Sequence, residues 1–317
     1  MEKEQWQEQG QEEQEYLTQT PSIQWFPGHM AKTRRVMKES LGLVVDIVVE
    51  LRDARIPKSS RNPEIEKIVG DKPRLVVFNK ADIADPAVTK MWQDYYKSHG
   101  VRTLALDCRS GKGLKELVPA VRETLADLLA KRRARGMESR PIRMMIVGVP
   151  NVGKSSMINR LAGGKKVKVE DRPGVTRGKQ WVRLENGIEL LDMPGVLWPK
   201  FDDKQVGERL AYTGAIKDDV YDLEWVAMRF LALLRERYPQ LLEERFKVTA
   251  EESADLEPYD LLELVGRKRG MMMSGGVVNT ERAAITVLDE FRSGKIGRIS
   301  LERPHTATAQ PDSEEAR

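Results

Sequence analysis

The stretch Ile142-Arg143-Met144-Met145-Ile146-Val147-Gly148-Val149-Pro150-Asn151-Val152-Gly153-Lys154-Ser155-Ser156-Met157-Ile158-Asn159-Arg160-Leu161 decides the fold. An apolar run enters a loop bounded by Gly148 and Gly153, and Ser156 to Leu161 leaves it with helical character. Strand, glycine-bounded loop and helix form the context in which G-x-x-x-x-G-K-S cradles phosphate. Successive backbone N–H groups line a concavity, and the helix N-terminus adds partial positive charge. Lys154 is expected to reach the β and γ phosphates and the Ser155 hydroxyl to ligate Mg2+, with Asn151, Val152, Gly153 and Ser156 completing the cradle.

A phosphate loop does not specify the base. Asn79-Lys80-Ala81-Asp82 does, because it follows the apolar run Leu75-Val76-Val77-Phe78 at the end of an expected strand. A carboxylate there accepts from guanine N1–H and the 2-amino group, a donor pair that adenine lacks. Leaving a buried Asp unpaired costs kilocalories, so the contact discriminates more sharply than apolar packing. Asp192-Met193-Pro194-Gly195 closes the run Ile188 to Leu191. An Asp at a strand end opposite a phosphate loop holds Mg2+, usually through water, and the Gly195 N–H can meet a γ-phosphate. Between these pieces Pro173-Gly174-Val175-Thr176 offers Thr176 either as a third Mg2+ ligand or as a simple turn residue.

The pieces stand in an unusual order: the base-reading motif precedes the phosphate loop. This arrangement resembles the circularly permuted GTPases. Ile23-Gln24-Trp25-Phe26-Pro27-Gly28-His29-Met30-Ala31-Lys32 narrows the resemblance to the YlqF/RbgA family of ribosome-assembly GTPases, from about Ile23 to about Leu301. It implies a permuted G domain, a mostly parallel sheet flanked by helices, followed by a smaller all-α domain. In that family the loop Asp107-Cys108-Arg109 is the second base contact. Cys108 stands where a small Ala is usual, and its backbone N–H is expected at the guanine carbonyl. The residue after D-x-x-G is Val196 rather than a water-positioning Gln, so slow intrinsic turnover is expected. The resemblance implies that His29 substitutes; a turn or RNA-contact role for His29 stays open. Asn151 corresponds to the asparagine that ligates K+ in potassium-dependent relatives, with loop shaping as the competing role.

The chain of 317 residues has room for one G domain and one smaller domain. The expected division is an acidic, Gln-rich disordered tail over 1–20, the permuted G domain with its N-terminal extension over 21–200, a helical RNA- or ribosome-binding domain over 201–303, and a disordered tail over 304–317. The net charge of +4 hides an asymmetry. Residues 1–20 carry six Glu and one Lys, a net −5, and residues 304–317 carry −2, which leaves +11 on the body between them. Such a body suits a polyanion such as rRNA, although surface solubility alone can also produce it. Arg267, Lys268, Arg269, Arg292, Lys295 and Arg298 offer an RNA face or merely solvated charge. One cysteine excludes an internal disulfide and suits a reducing cytoplasm, and no run approaches a membrane span.

Locally, the apolar run Leu43 to Leu51 reads as a buried parallel strand that ends in a polar transition, Arg52 to Pro57. Leu114 to Ala130 reads as one amphipathic helix and Lys131 to Arg140 as a charged linker. Val182 to Leu184 and Ile188 to Leu191 pair across Glu185-Asn186-Gly187. The expected activity is hydrolysis of GTP by a monomer that binds the large ribosomal subunit in the GTP state and leaves on hydrolysis. A GTP-dependent scaffold without catalysis, or a P-loop ATPase or kinase acting elsewhere, are the rivals.

Overall fold

The computed structural model describes residues 23, 28–43, 45–163, 180–184, 187–198, 201 and 203–304. Thr176, the aromatic segment Trp25 to Pro27, Glu185 and Asn186 of the expected turn, the tail 1–20 and nearly all of the tail 304–317 lie outside them.

Six strands, β1 (Ile47–Asp53), β2 (Arg74–Asn79), β3 (Thr103–Ala105), β4 (Ile142–Gly148), β5 (Gln180–Arg183) and β6 (Ile188–Asp192), form one sheet in the order β3-β2-β1-β4-β6-β5. All neighbours are parallel except the β5-β6 pair, the expected hairpin. β1 is buried along its whole length, as befits a strand covered on both faces, although Glu50, Arg52 and Asp53 stand among its apolar residues. The helices α1 (Gly28–Leu43), α2 (Pro63–Val69), α3 (Pro86–Ser98), α4 (Leu117–Thr124), α5 (Ala126–Ala134) and α6 (Lys154–Leu161) accompany the sheet. Side chains start them where the sequence supplies a cap. Asn62 accepts from the N–H groups of Glu64 and Ile65, and Asp85 accepts from Ala87 and Val88 ahead of Pro86.

The single helix expected over 114–130 is interrupted. A 3-10 turn (Leu114–Glu116) leads into α4, and the chain kinks at Leu125 (φ −101°, ψ 14°), a buried residue, before α5. Pro119, which has no N–H to donate, lies in the first turn of α4, where that loss is harmless. The charged linker also begins as helix: α5 continues to Ala134, and buried Arg132 pairs with Asp46.

Beyond β6 the described chain is helical: α7 (Lys204–Tyr212), α8 (Leu223–Arg237), α9 (Pro239–Phe246), α10 (Ala250–Ser253), α11 (Pro258–Lys268) and α12 (Thr280–Arg292). α9 and α10 are too short to show a repeating apolar spacing; Pro239 at the start of α9 and the Thr249/Glu252 capping box of α10 are their local signals. The segment after α12 runs back over the sheet. Ile299 N–H donates to Ile83 O (3.1 Å), Leu301 N–H to Arg55 O (2.8 Å) and Trp92 Nε1 to Glu302 O (3.1 Å). One continuous apolar core extends from the sheet into the helical region.

Candidate functional site

Parallel strands deliver their C-terminal ends to one edge, where the crevice of an open α/β sheet lies. The register sets Asp53 opposite Asn79, Leu51 opposite Gly148 and Ile146 opposite Asp192, so the loops carrying all three sequence motifs leave the sheet side by side.

Asn79 ties these loops together. Its Nδ2 donates to Val152 O of the phosphate loop (2.7 Å), and its Oδ1 accepts from the Cys108 N–H (2.9 Å). Ala81 N–H donates to Leu106 O (3.2 Å), a second tie between the two base-reading loops. The Cys108 N–H expected at a guanine carbonyl is thus held by Asn79 in this structure. Asp107 braces the same turn by accepting from the N–H groups of Arg109 (2.7 Å) and Ser110 (3.0 Å). Burial, reinforced by Asp107, pushes the Cys108 thiol up to about 12, so it stays neutral and acts as a small packing residue. Arg109 is exposed, and Asp82 is half-buried in the turn that follows β2.

The phosphate loop needs its glycines for contact as well as for conformation. Gly148 (φ +152°) lies so close to β1 that a Cβ there would stand 2.5 Å from Leu51 O; at Gly153 (φ +106°) it would stand 2.2 Å from Asn79 Nδ2. Lys154, buried at the start of α6, places Nζ 3.0 Å from Val149 O and 3.2 Å from Gly148 O. Burial lowers its ammonium to about 8, partly opposed by the Asp192 carboxylate. A cation desolvated in this way gains strongly from an arriving anion. Asp192 is half-buried; desolvation raises its carboxyl, against Lys154 and the Met193 N–H. Ser155 and Ser156 are exposed at the helix start, and Val152 is buried. A Cβ on Gly195 would lie 2.7 Å from Pro150 Cα and 2.9 Å from Lys154 Nζ, so this loop rests directly on the cradle.

Val196 is buried; its N–H donates to Gly148 O (3.3 Å), and its carbonyl accepts from Asn62 Nδ2 (2.8 Å). No group at that position can orient water. His29 falls in the first turn of α1, and Asn151 (φ +55°) donates from Nδ2 to Gly214 O of the helical region (2.6 Å).

Of the cations offered as an RNA face, Arg267, Lys268, Arg269, Lys295 and Arg298 are exposed, with Lys268 paired to Glu252 and Arg269 to Glu290. Arg292 is half-buried and acts as an internal strut: it pairs with Asp218 and donates to the carbonyls of Ala211 and Tyr212. One expectation is revised. The polar transition after β1 is instead a buried ionic cluster. Arg52 forks onto Glu50 (2.9 Å for each bond), and Asp53 accepts two bonds from Arg55 (2.9 Å each) and pairs with Lys80 (3.0 Å). Burial acts to raise the Asp53 carboxyl, but Arg55 and then Lys80 outweigh it and hold it well below the usual carboxylate range. The available signal was charge inside a run otherwise buried on both faces, Glu50 and Arg52 among Val48, Val49 and Leu51.

Residues 143–249 match the family model described as 50S ribosome-binding GTPase. A protein of Priestia megaterium named ribosome biogenesis GTPase A is 50% identical over 290 residues, covering 90% of this chain and 98% of that one. The protein of the same name from Thermotoga maritima is 33% identical over 287 residues, covering 90% and 96%. The crystal structure of GNP-bound YlqF from T. maritima superimposes with a TM-score of 0.60 at 30% identity, covering 86% of this chain and 99% of that one. On the identity and coverage of these relatives, and on the convergence of the permuted motifs at one sheet edge, the chain belongs to the YlqF/RbgA family of ribosome biogenesis GTPases.

Proposed function

We propose that this GTPase acts in assembly of the large ribosomal subunit: it grips the maturing subunit in its GTP state, mainly through rRNA, and lets go on hydrolysis. The observation that supports the nucleotide reading is the Asn79 clamp, which ties the phosphate loop directly to the second base loop. The polyanionic partner is supported by the +11 body, and the large subunit by the names of the relatives. The working unit is a monomer in the cytoplasm, with the G domain over 21–200 and the partner-binding helical domain over 201–303. Among the described residues no helix is long and apolar enough to cross a membrane.

Asp82 reads the base, with Lys80, Ala81, Cys108 and Arg109 framing it. Lys154 and the N–H groups of Asn151 to Ser156 hold the phosphates, and the Gly195 N–H meets the γ-phosphate. Ser155 and Asp192, with Thr176, hold Mg2+. Their hard oxygen donors suit that ion, which typically accompanies the nucleotide in this family and neutralises developing phosphate charge. Asn151 fits K+ through its amide oxygen, since its nitrogen is the atom that faces Gly214 O. His29 orients the attacking water when a partner is bound, supplying what Val196 lacks.

Turnover measured with and without large subunits, in K+ and then in Na+, tests this. Stimulation by the subunit that is stronger in K+ supports it. Buried Val196 favours one rival, a scaffold that binds GTP without turnover, and the absence of stimulation under every condition would select it.

A further inference from the structure

Arg55 is fully buried, yet it touches three things at once. Its Nε and Nη2 each donate to Asp53 at 2.9 Å, its Nη1 donates to Phe291 O in the last turn of α12 (3.1 Å), and its guanidinium lies 4.5 Å from the centre of the Phe291 ring. Asp53 in turn holds Lys80 Nζ at 3.0 Å, and Ala54 N–H donates to Asn79 O (2.8 Å). Lys80 has a left-handed backbone (φ +63°) between Asn79 and Ala81, so this ion pair sits at the strained point of the base-reading loop. The chain after α12 reaches the same loop a second time: a Cβ on Gly294 would stand 2.3 Å from Ile83 Cγ2, and Ile299 N–H donates to Ile83 O. A buried ionic cluster is no more stabilising than apolar packing of the same volume, so stability does not account for it. The cluster does fix geometry: a planar guanidinium forks onto a carboxylate while it reaches a distant carbonyl, and an ammonium lacks that rigid fork.

We propose that Arg55 is a positioning residue that locks the base-reading loop to the end of α12, so that a partner gripping the helical region sets the rate at which the nucleotide leaves. The base is common to GDP and GTP, so this linkage acts on both alike, whereas a γ-phosphate sensor acts on GTP alone. Coupling is reciprocal, so base occupancy also stiffens the helical region. The inference rests on Asp82 reading guanine.

The test uses the full chain with Arg55→Lys, which keeps the charge and loses the fork. Release of fluorescent GDP and of a non-hydrolysable GTP analogue is followed by stopped flow, and GDP is compared with inosine diphosphate, whose base lacks the 2-amino group. R55K should release both guanine nucleotides faster by the same factor, about fivefold or more, and lose a similar factor of preference for GDP over inosine diphosphate. Phe291→Leu, which removes the ring beneath the guanidinium from the helical side, should shift the same quantities in the same direction by a smaller factor. It serves as the test if R55K does not fold. Ser59→Ala, at the separate Ser59–Glu302 contact between helical region and sheet, should leave the preference unchanged.

Wild-type release rates and preference in folded R55K or F291L would overturn the proposal. So would a loss confined to the GTP analogue, or equal losses for GDP and inosine diphosphate. Asp82→Asn run in parallel separates the two levels. If D82N keeps the preference, the reading of the site fails; if D82N loses it and R55K does not, only the linkage fails.

Discussion

Replacing Asn79 with Asp changes one atom at the point where three loops meet. In the structure Oδ1 accepts from the Cys108 N–H and Nδ2 donates to Val152 O, both inside a residue that is 3% exposed. Aspartate keeps the first bond and turns the second into an oxygen facing a carbonyl. Losing that bond and leaving the carbonyl unsatisfied costs about 2–3 kcal/mol, and the loops must then be brought back together when nucleotide binds. The nucleotide-free variant should therefore be about 2–3 kcal/mol less stable and bind GDP more than tenfold more weakly at pH 8. The deficit depends on pH with a definite sign. Burial raises the pKa of the new carboxyl above its unfolded value near 3.9. The protonated acid donates to Val152 O, so stability is present at low pH and lost as pH rises through the raised value. Asn79→Ala leaves both partners unsatisfied at every pH and serves as the control. Urea unfolding and GDP titration between pH 5.5 and 8 measure both effects. N79D lying within about 0.5 kcal/mol of wild type at pH 8, with GDP affinity unchanged, would refute the clamp.

Lys154, lowered to about 8 by burial, should take up a proton as GDP binds near pH 8, because bound phosphate restores its charge. Calorimetry in two buffers of different ionisation enthalpy measures that uptake, and GDP affinity should weaken about tenfold per pH unit above 8. The same group destabilises the nucleotide-free fold below pH 8, a penalty relieved as pH rises from 8 toward its unfolded value of 10.5. Gly195→Ala drives a methyl group to within 2.7–2.9 Å of Pro150 and Lys154, so the GTP analogue should bind about tenfold more weakly while GDP is affected less, as parallel titrations would show. Val196→Gln should not create an efficient catalyst: the site is buried, so the amide costs about 1–3 kcal/mol of stability without reaching water, readable from thermal melts and single-turnover rates.

Much of the site was legible because its chemistry is local. G-x-x-x-x-G-K-S between a strand and a helix, N-K-x-D after a buried run and D-x-x-G at a strand end each state their own backbone requirement. The structure brings their loops to one edge, as the permuted order required. Apolar runs marked the sheet strands β1, β2, β4 and β6. The kink at Leu125 and the short helices α9 and α10 were not legible, since no repeating pattern encodes them.

The sequence by itself determined the class of sheet and the permuted order of the nucleotide loops, because these depend on residue type at fixed spacing along the chain. The tertiary structure alone decided which charges are surface and which are struts. Arg55 and Arg292 look like any other basic residue in the sequence. Only the packing of the last turn of α12 against the end of β1 buries the first between Asp53 and Phe291, and the fold of the helical region ties the second to Asp218. Burial of a charge depends on what lies across from it in space, and contacts 236 residues apart leave no trace in local composition.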